Sequence, residues 1–319
     1  MKLLSAMCVV LGSLAMTMSG AHAQATVKIG LAVPNNTYYA AIFAARDLGY
    51  LKAAGINADI VEYSGGAANQ EALAAGAADI ITAFPPGVAL VTSKGTKEKM
   101  IATIAAPAYG WYMLVNSDSP YKTMKDLAGK KVGITTKAST SDMFALWAAD
   151  HAGITVQEIP VGGGALINAL KSHQVDAISI FASLSFKALA MNTRPVVDFA
   201  KEMPPTITDA WVASQDMIDK HPDRVKAVLV AYYKAVDYMR KHKAWTLGFL
   251  KQHMKENDEK VVEQAFDVET MQQSSDGVID EKWIHDSLAI ASKGWNMPDL
   301  AKVNPKDLYT NEFLPVKFQ

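Results

Sequence analysis

Short runs of hydroxyl-bearing and glycine residues are the features of this chain best suited to chemistry, and that chemistry is noncovalent binding. Ser139, Thr140 and Ser141 stand side by side. At a helix start, such residues offer hydroxyls together with the unpaired amides of the first turn, which bind anions and carbonyl oxygens. Gly65 and Gly163 lie in glycine runs, where a backbone approaches a ligand closely. Single runs of this kind also serve as helix caps and turns, so the convergence of several loops indicates a site.

Aromatic residues near the ends of predicted strands offer walls for a flat or apolar ligand. Phe84 and Phe181 occupy equivalent places in two sequence repeats, so we expect them to face each other across a cleft. Tyr38, Trp111 and Trp211 lie in neighbouring loops or near a crossover. Each of these rings could equally pack in a core, because aromatic residues are usually buried.

Cationic residues are scarce in the candidate loops. None of the four arginines lies there, so a bidentate clamp on a carboxylate or phosphate is not expected. Lys137 is the cation best placed to help. The complete set of predicted ligand-binding residues is Asn35, Tyr38, Gly65, Asn69, Phe84, Trp111, Lys137, Ser139, Thr140, Gly163, Phe181 and Trp211.

The sequence offers no constellation for catalysis or for a metal or cofactor. It contains no H-E-x-x-H, G-x-S-x-G or P-loop motif. The single cysteine, Cys8, precedes residue 24, so the remainder has no thiol for a disulfide, a thiolate metal site or a nucleophile. Beyond residue 23 the histidines fall on predicted helices or at their ends: His151, His173, His221, His242, His253 and His285. We therefore predict no enzyme, no metal and no cofactor.

The elements that must position the candidate residues alternate between strands and helices. The first repeat reads as strand 27–33, helix 38–51, strand 58–63, helix 69–75 and strand 79–83, and the second as strand 131–134, helix 141–151 and strand 156–161. This alternation indicates parallel sheets with right-handed crossovers. In such sheets ligands bind beyond the carboxyl ends of the strands, where helices begin.

Two similarly built lobes are indicated by the recurrence of residues at a fixed distance. Leu73, Asp79 and Phe84 precede Leu170, Asp176 and Phe181 by 97 positions. After residue 194 the pattern changes to one strand, 209–213, followed by helices 222–242, 244–254, 258–266 and 280–292.

We predict an α/β fold of two lobes, each a mostly parallel sheet flanked by helices. The C-terminal block is expected to pack back on the first lobe, which assigns 24–114 and 205–319 to lobe 1 and 115–204 to lobe 2. The chain would then cross between lobes near 114–116 and near 204–205, and two crossings make a hinge.

The N-terminus predicts export. Lys2 precedes an apolar run, 3–16, and Ala21-His22-Ala23 is an A-x-A cleavage pattern, so residues 1–23 are interpreted as a signal peptide cleaved after Ala23. The run is too short to span a bilayer. Lipidation at Cys8 is disfavoured because hardly any apolar region precedes it. The net charge of −1 offers no field to attract nucleic acid.

These segments resemble the periplasmic substrate-binding proteins of ABC importers, in the nitrate/sulfonate/taurine branch related to the thiamine-pyrimidine synthesis proteins. The resemblance is carried by residues 27–30, 44–51, 55–56, 72–79 and 125–133. It implies a type II binding-protein fold, a periplasmic monomer, a small-molecule ligand, and ABC permease subunits in the inner membrane as partners, with no nucleic acid. It also implies ligand contacts from the loops at 34–38, 83–85 and 139–141.

Two departures from the relatives bear on the ligand. Phe181-Ala182-Ser183 stands where many sulfonate and taurine binders carry an acidic or tryptophan-containing segment, which argues against taurine and its ammonium group. The cysteine-rich segment of the pyrimidine-synthesising relatives is absent. We therefore expect a small organic anion, an aryl or alkyl sulfonate or an aromatic carboxylate. The alternatives are a neutral heteroaromatic such as a thiamine-pyrimidine precursor, an exported enzyme on the same fold, or a sensory ligand-presenting protein.

Overall fold

The computed structural model describes residues 24–318, which form two lobes on two five-stranded sheets. The strands are β1 (Ala25–Leu31), β2 (Ile56–Glu62), β3 (Ile80–Ala83), β4 (Glu98–Ala105), β5 (Tyr112–Asn116), β6 (Lys131–Ile134), β7 (Gln157–Pro160), β8 (Ala177–Ile180), β9 (Thr193–Asp198) and β10 (Asp209–Ser214). The sheet orders are β2-β1-β3-β10-β4 and β7-β6-β8-β5-β9. The predicted two-lobe α/β architecture is confirmed.

Helices flank both sheets. They are α1 (Thr37–Asp47), α2 (Tyr50–Ala53), α3 (Gly66–Ala74), α4 (Pro85–Thr92), α5 (Thr140–His151), α6 (Leu166–Lys171), α7 (Ala182–Ala190), α8 (Phe199–Glu202), α9 (Gln215–Lys220), α10 (Pro222–Lys241), α11 (Lys243–His253), α12 (Glu259–Ala265) and α13 (Glu281–Gly294). Short 3₁₀ turns lie at 124–127, 163–165, 298–302 and 305–307, and a π turn follows α12 at 266–270.

The two sheets repeat one plan. In each, three strands pair in parallel in the orders β2-β1-β3 and β7-β6-β8. An antiparallel strand then inserts beside the third: β10 pairs with β3 and β4, and β5 pairs with β8 and β9. Each inserted strand comes directly after a crossing between lobes, so the lobes are joined by two adjacent connections, as a hinge requires.

The first crossing lies earlier than the sequence indicated. β5 pairs within the second sheet, so the chain leaves the first lobe between Ala105 and Tyr112, and the boundary predicted at 114 falls inside a strand of the second lobe. An apolar run such as that of β5 looks the same whichever sheet it joins. The second crossing, between Glu202 and Asp209, contains the Pro204-Pro205 pair where it was expected.

The C-terminal block packs on the first lobe and also reaches the second. α10 contacts α1 and α2, whereas α12 contacts α7 and α13 contacts α5. The sequence did not predict β4, whose first residue, Glu98, is only 2% exposed. In the described part of the chain, no helix has both the length and the apolar character needed to cross a bilayer. The predicted signal peptide and Cys8 lie outside the described residues.

Candidate ligand-binding site

A cavity lies between the lobes, beyond the carboxyl ends of the parallel strands. Its volume is about 40 Å³, which is room for roughly three water molecules. Both lobes line it, through Ala32, Val33, Asn36, Tyr39, Gly66, Ala83, Phe84, Trp111, Thr135, Ser139, Thr140, Ser141, Phe181 and Asp209. The cavity is therefore built by the strand-end loops that the sequence indicated.

Helix N-termini converge on this cavity. Asn36, Phe84, Ser139 and Phe181 are the N-cap residues of α1, α4, α5 and α7, and Gly66 is the first residue of α3. All five residues line the cavity. Because each helix carries partial positive charge and unpaired amides at its N-terminus, their convergence favours an anion.

A cluster of buried hydroxyls occupies the second lobe's side of the cavity. Thr135 Oγ1 lies 2.9 Å from Ser139 Oγ and 3.0 Å from Ser141 Oγ, and the two serine oxygens lie 2.9 Å apart. Ser139 Oγ also accepts a hydrogen bond from the amide of Asp142 at the start of α5. Hydroxyls that bond to one another can each rotate to donate to a ligand oxygen. The sequence did not identify Thr135, which precedes the run of hydroxyl residues.

Aromatic walls close the cavity from both lobes. Phe84 lines it from the first lobe and Phe181 from the second, the arrangement expected from the repeats. Trp111 packs against Phe181, with ring centroids 6.0 Å apart. Among residues 24–318 the buried indole Nε1 of Trp111 has no hydrogen-bond partner. It is therefore a donor left over for a ligand, since an unpaired buried N–H is costly.

Asp209 supplies the one carboxyl group among the lining residues, which include no lysine, arginine or histidine. The Tyr39 hydroxyl donates to Asp209 Oδ1 over 2.5 Å. Burial raises the pKa of Asp209 to about 7, although the bond from Tyr39 acts to lower it. Asp209 is thus poised between carboxyl and carboxylate near neutral pH. It was missed as a site residue because a lone aspartate after a proline pair carries no binding motif.

The lobes touch across the cleft. The amide of Gly163 donates to the carbonyl of Ser64 over 3.2 Å, and a Cβ atom at Gly65 would collide with the Thr136 side chain. Gly65 and Gly163 thus lie at the lobe interface beside the cavity and not in its lining. Asn35, with a left-handed φ of 56°, also lies outside the lining.

Four further predicted binding residues do not line the cavity. Asn69 is buried, and its Nδ2 donates to the Thr82 carbonyl over 2.8 Å, which secures β3. Trp211 lies in the middle of β10 and packs edge-on against Tyr232. Asn69 was selected because it ends a loop that follows a predicted strand, and Trp211 because it lies near a crossover. Both side chains belong to the core of the first lobe.

Tyr38 and Lys137 are also engaged elsewhere. The buried Tyr38 hydroxyl donates to the Tyr109 carbonyl over 3.3 Å, between a helix of the first lobe and the first crossing. The Lys137 ammonium lies 3.0 Å from Glu158 and 3.7 Å from Asp142. These carboxylates already compensate its charge, so the cavity depends on helix ends and hydroxyls for any positive potential. Five predicted residues do line the cavity, and their contact with a ligand stays a prediction: Phe84, Trp111, Ser139, Thr140 and Phe181.

Comparison with known proteins agrees with the observed fold. A protein of Brucella abortus strain 2308, described as a binding protein, is 24% identical over 285 residues, which cover 82% of this chain and 83% of the relative. A solved structure from Bordetella bronchiseptica RB50 is 25% identical, covers 91% of this chain and 95% of that one, and superposes with a TM-score of 0.77. The periplasmic aliphatic sulphonate binding protein SsuA from Escherichia coli is 19% identical, with coverage of 92% and 94% and a TM-score of 0.71.

The same fold also carries an enzyme, the desulfurization enzyme DSZB, which is 16% identical with a TM-score of 0.61 and coverage of 90% and 97%. The fold therefore does not decide between binding and catalysis.

The family resemblance seen in the sequence is confirmed. The NMT1/THI5 like family matches residues 36–244, about two thirds of the sequence, and this chain belongs to it.

Proposed function

We propose that this chain is the solute-binding component of an ABC import system, which captures a small organic anion between its lobes and delivers it to a membrane permease. The observation that carries this proposal is the convergence of the N-termini of α1, α3, α4, α5 and α7 on a cavity whose lining contains no basic side chain. Helix ends and neutral donors suit one negative charge.

The head group of the ligand is a sulfonate or carboxylate. Its oxygens accept from the hydroxyls of Thr135, Ser139 and Ser141 and from the free indole N–H of Trp111. Phe84 and Phe181 enclose the carbon next to the head group. A dianion is disfavoured because a second buried charge would have no cationic partner in the lining.

Asp209 accommodates such an anion by keeping its proton. With a pKa of about 7, the group is largely neutral below that pH and donates a hydrogen bond to the ligand. A ligand with an amine or hydroxyl would use the carboxylate form instead. As a carboxylate, Asp209 would pair with the ammonium group of an amino-bearing sulfonate. Such a ligand therefore remains a candidate, although Phe181-Ala182-Ser183 argued against taurine.

Capture works by closure about the two crossings. Contacts such as Gly163 to Ser64 form only when the lobes meet, and a ligand that touches both lobes shifts the population toward the closed form. A permease then distinguishes the closed form from the open one. The structural likeness to a sulfonate-binding periplasmic protein supports this class of ligand.

A thermal-shift and calorimetric screen of residues 24–319 tests the proposal. The probes are methanesulfonate, benzenesulfonate, benzoate, nitrate, taurine and a thiamine-pyrimidine precursor. A ligand at about 100 times its Kd stabilises the folded state by roughly 2.7 kcal/mol. Stabilisation by the pyrimidine alone would favour the neutral heteroaromatic and contradict the anion. Mass spectrometry of the denatured protein identifies a ligand that copurifies and masks the response.

Binding is proposed over catalysis because the cavity hydroxyls bond to one another and no histidine lines the cavity to activate them. A sensory protein would use the same site. Uptake of labelled ligand by cells that lack the cognate permease separates the two: loss of uptake supports transport.

We also propose that the protein is exported to the periplasm and that its signal peptide is cleaved after Ala23. N-terminal sequencing of the periplasmic protein tests that cleavage.

A further inference from the structure

The cavity between the lobes has room for the head of an organic anion and little else. Its 40 Å³ corresponds to roughly three water positions, which is the scale of a carboxylate or sulfonate group. The alkyl or aryl part of a larger ligand must lie elsewhere if the lobes are to close as they do here.

A second pocket of about 310 Å³ adjoins the cavity; it lies mainly in the first lobe, and Ala138 of the second lobe also lines it. It lies between α3 and α4, and its walls combine apolar residues such as Ala67, Leu90 and Val91 with the charged residues Glu71 and Lys94. The two spaces share the lining residues Gly66, Ala83 and Phe84. The aromatic ring of Phe84 is therefore the largest group between the head cavity and this second pocket.

Gly87 leaves room for the Phe84 ring. A Cβ atom at position 87 would lie 2.9 Å from Phe84 Cε1, closer than carbon atoms pack. Glycine inside a helix such as α4 is less favourable than alanine, and here its missing side chain leaves space for the ring. On another side, Phe84 meets Trp295 edge-on at a centroid distance of 6.1 Å.

Gln70 marks a polar point within the same pocket. Its side chain lines the pocket and is 6% exposed, and its amide lies beside the buried Glu98 carboxyl, whose pKa it acts to lower. A pocket whose walls are mostly apolar, with a few polar side chains, has the composition of a ligand compartment.

We propose that the pocket between α3 and α4 receives the tail of the ligand whose head occupies the interlobe cavity, with Phe84 as the movable wall between them. The ligand is then an alkyl or aryl sulfonate or carboxylate with several carbons beyond its head group. This inference rests on the proposed function, because the head group must be anchored in the cavity for its tail to reach the pocket.

Calorimetry with methane-, butane-, hexane- and octanesulfonate tests the inference on the whole chain. Burial of each methylene contributes about 0.8 kcal/mol, or roughly fourfold in affinity, so affinity should rise steeply along the series. Ala67→Phe fills the pocket and should weaken hexanesulfonate at least tenfold while leaving methanesulfonate unchanged. Ala75→Phe places the same ring on an exposed residue just after α3 and outside the pocket, and should alter neither affinity.

Each outcome decides one question. An affinity that stays flat along the series, or an equal loss of both ligands in Ala67→Phe, overturns the tail pocket and leaves anion binding intact. Failure of the native protein to bind any sulfonate or benzoate overturns the proposed function and the tail pocket with it. If Ala67→Phe fails to fold, Leu90→Ala provides the test: it should weaken hexanesulfonate several-fold and spare methanesulfonate, and equal effects would contradict the proposal.

Discussion

The indole Nε1–H of Trp295 donates to Oδ2 of Asp142 over 2.9 Å and ties the C-terminal helices of the first lobe to α5 of the second. Asp142 lies in the first turn of α5, next to the hydroxyl cluster, and burial raises its pKa. The ring of Trp295 also packs edge-on against Phe84. Trp295, the residue that follows α13, therefore contacts both the second lobe, through Asp142, and the cavity wall, through Phe84.

Trp295→Phe should weaken ligand binding because it keeps a ring beside Phe84 and removes only the hydrogen bond between lobes. A hydrogen bond to a charged group contributes about 1.5–3 kcal/mol, so we expect affinity for methanesulfonate to fall roughly tenfold or more by calorimetry. Trp283→Phe, on α13 and partly buried in the first lobe, is the matched control. Equal affinity in Trp295→Phe and the native protein would show that this bond does not support closure.

Phe84→Ala and Phe181→Ala should each weaken binding of methanesulfonate while unfolding stays cooperative. Both rings are buried, at 4% and 1% exposed, so removal of either costs about 3–5 kcal/mol of stability as well as its contact with the ligand. If Phe84 is the wall of the tail pocket, Phe84→Ala should spare octanesulfonate more than methanesulfonate. Phe249→Ala, on α11 away from the cavity, controls for the loss of a ring. Unchanged affinity in both cavity variants would exclude aromatic walls.

Affinity for methanesulfonate should fall as the pH rises above about 7, since Asp209 must give up the proton with which it donates to the anion. The pKa of Asp209 is raised by burial to about 7, so the neutral form predominates below that value. Calorimetry between pH 5.5 and 9 should show up to a tenfold loss per pH unit above the pKa. Asp209→Asn should bind with little pH dependence.

Tyr39→Phe sharpens this test. The Tyr39 hydroxyl lowers the pKa of Asp209, so its removal should move the fall in affinity to higher pH. Stronger binding above pH 7 in the native protein would contradict a simple anion and indicate a ligand that donates to the carboxylate.

The sequence predicts those parts of the site that depend on the order of neighbouring elements along the chain. A strand followed by a loop and a helix start places Ser139, Phe84 and Phe181 at the cavity, because the carboxyl ends of parallel strands share one edge. Asp209 reaches the same edge only because β10 inserts antiparallel between β3 and β4, and no pattern along the chain records that insertion. Lys137 lies outside the cavity lining for a related reason: its partner Glu158 lies on β7, a neighbour in the sheet and distant in sequence.

Glu98→Gln should flatten the dependence of stability on pH. Glu98 begins β4, and burial raises its pKa to about 8 from an ordinary value of 4.5, an effect that the adjacent Gln70 amide only partly offsets. In the unfolded chain the group loses its proton near 4.5, whereas the folded chain retains it to about 8. The folded state thus binds more protons in this window, and the free energy of unfolding falls as pH rises, by up to about 1.4 kcal/mol per unit.

Urea unfolding at pH 5, 6.5 and 8 measures this effect. The native protein should lose stability across the series, and Glu98→Gln should lose less, since its amide carries no proton to release. The exposed Glu259→Gln controls for removal of a carboxylate. A slope in Glu98→Gln equal to that of the native protein would assign the pH dependence to the other buried carboxyls, Asp209 and Glu269, whose pKa values burial also raises.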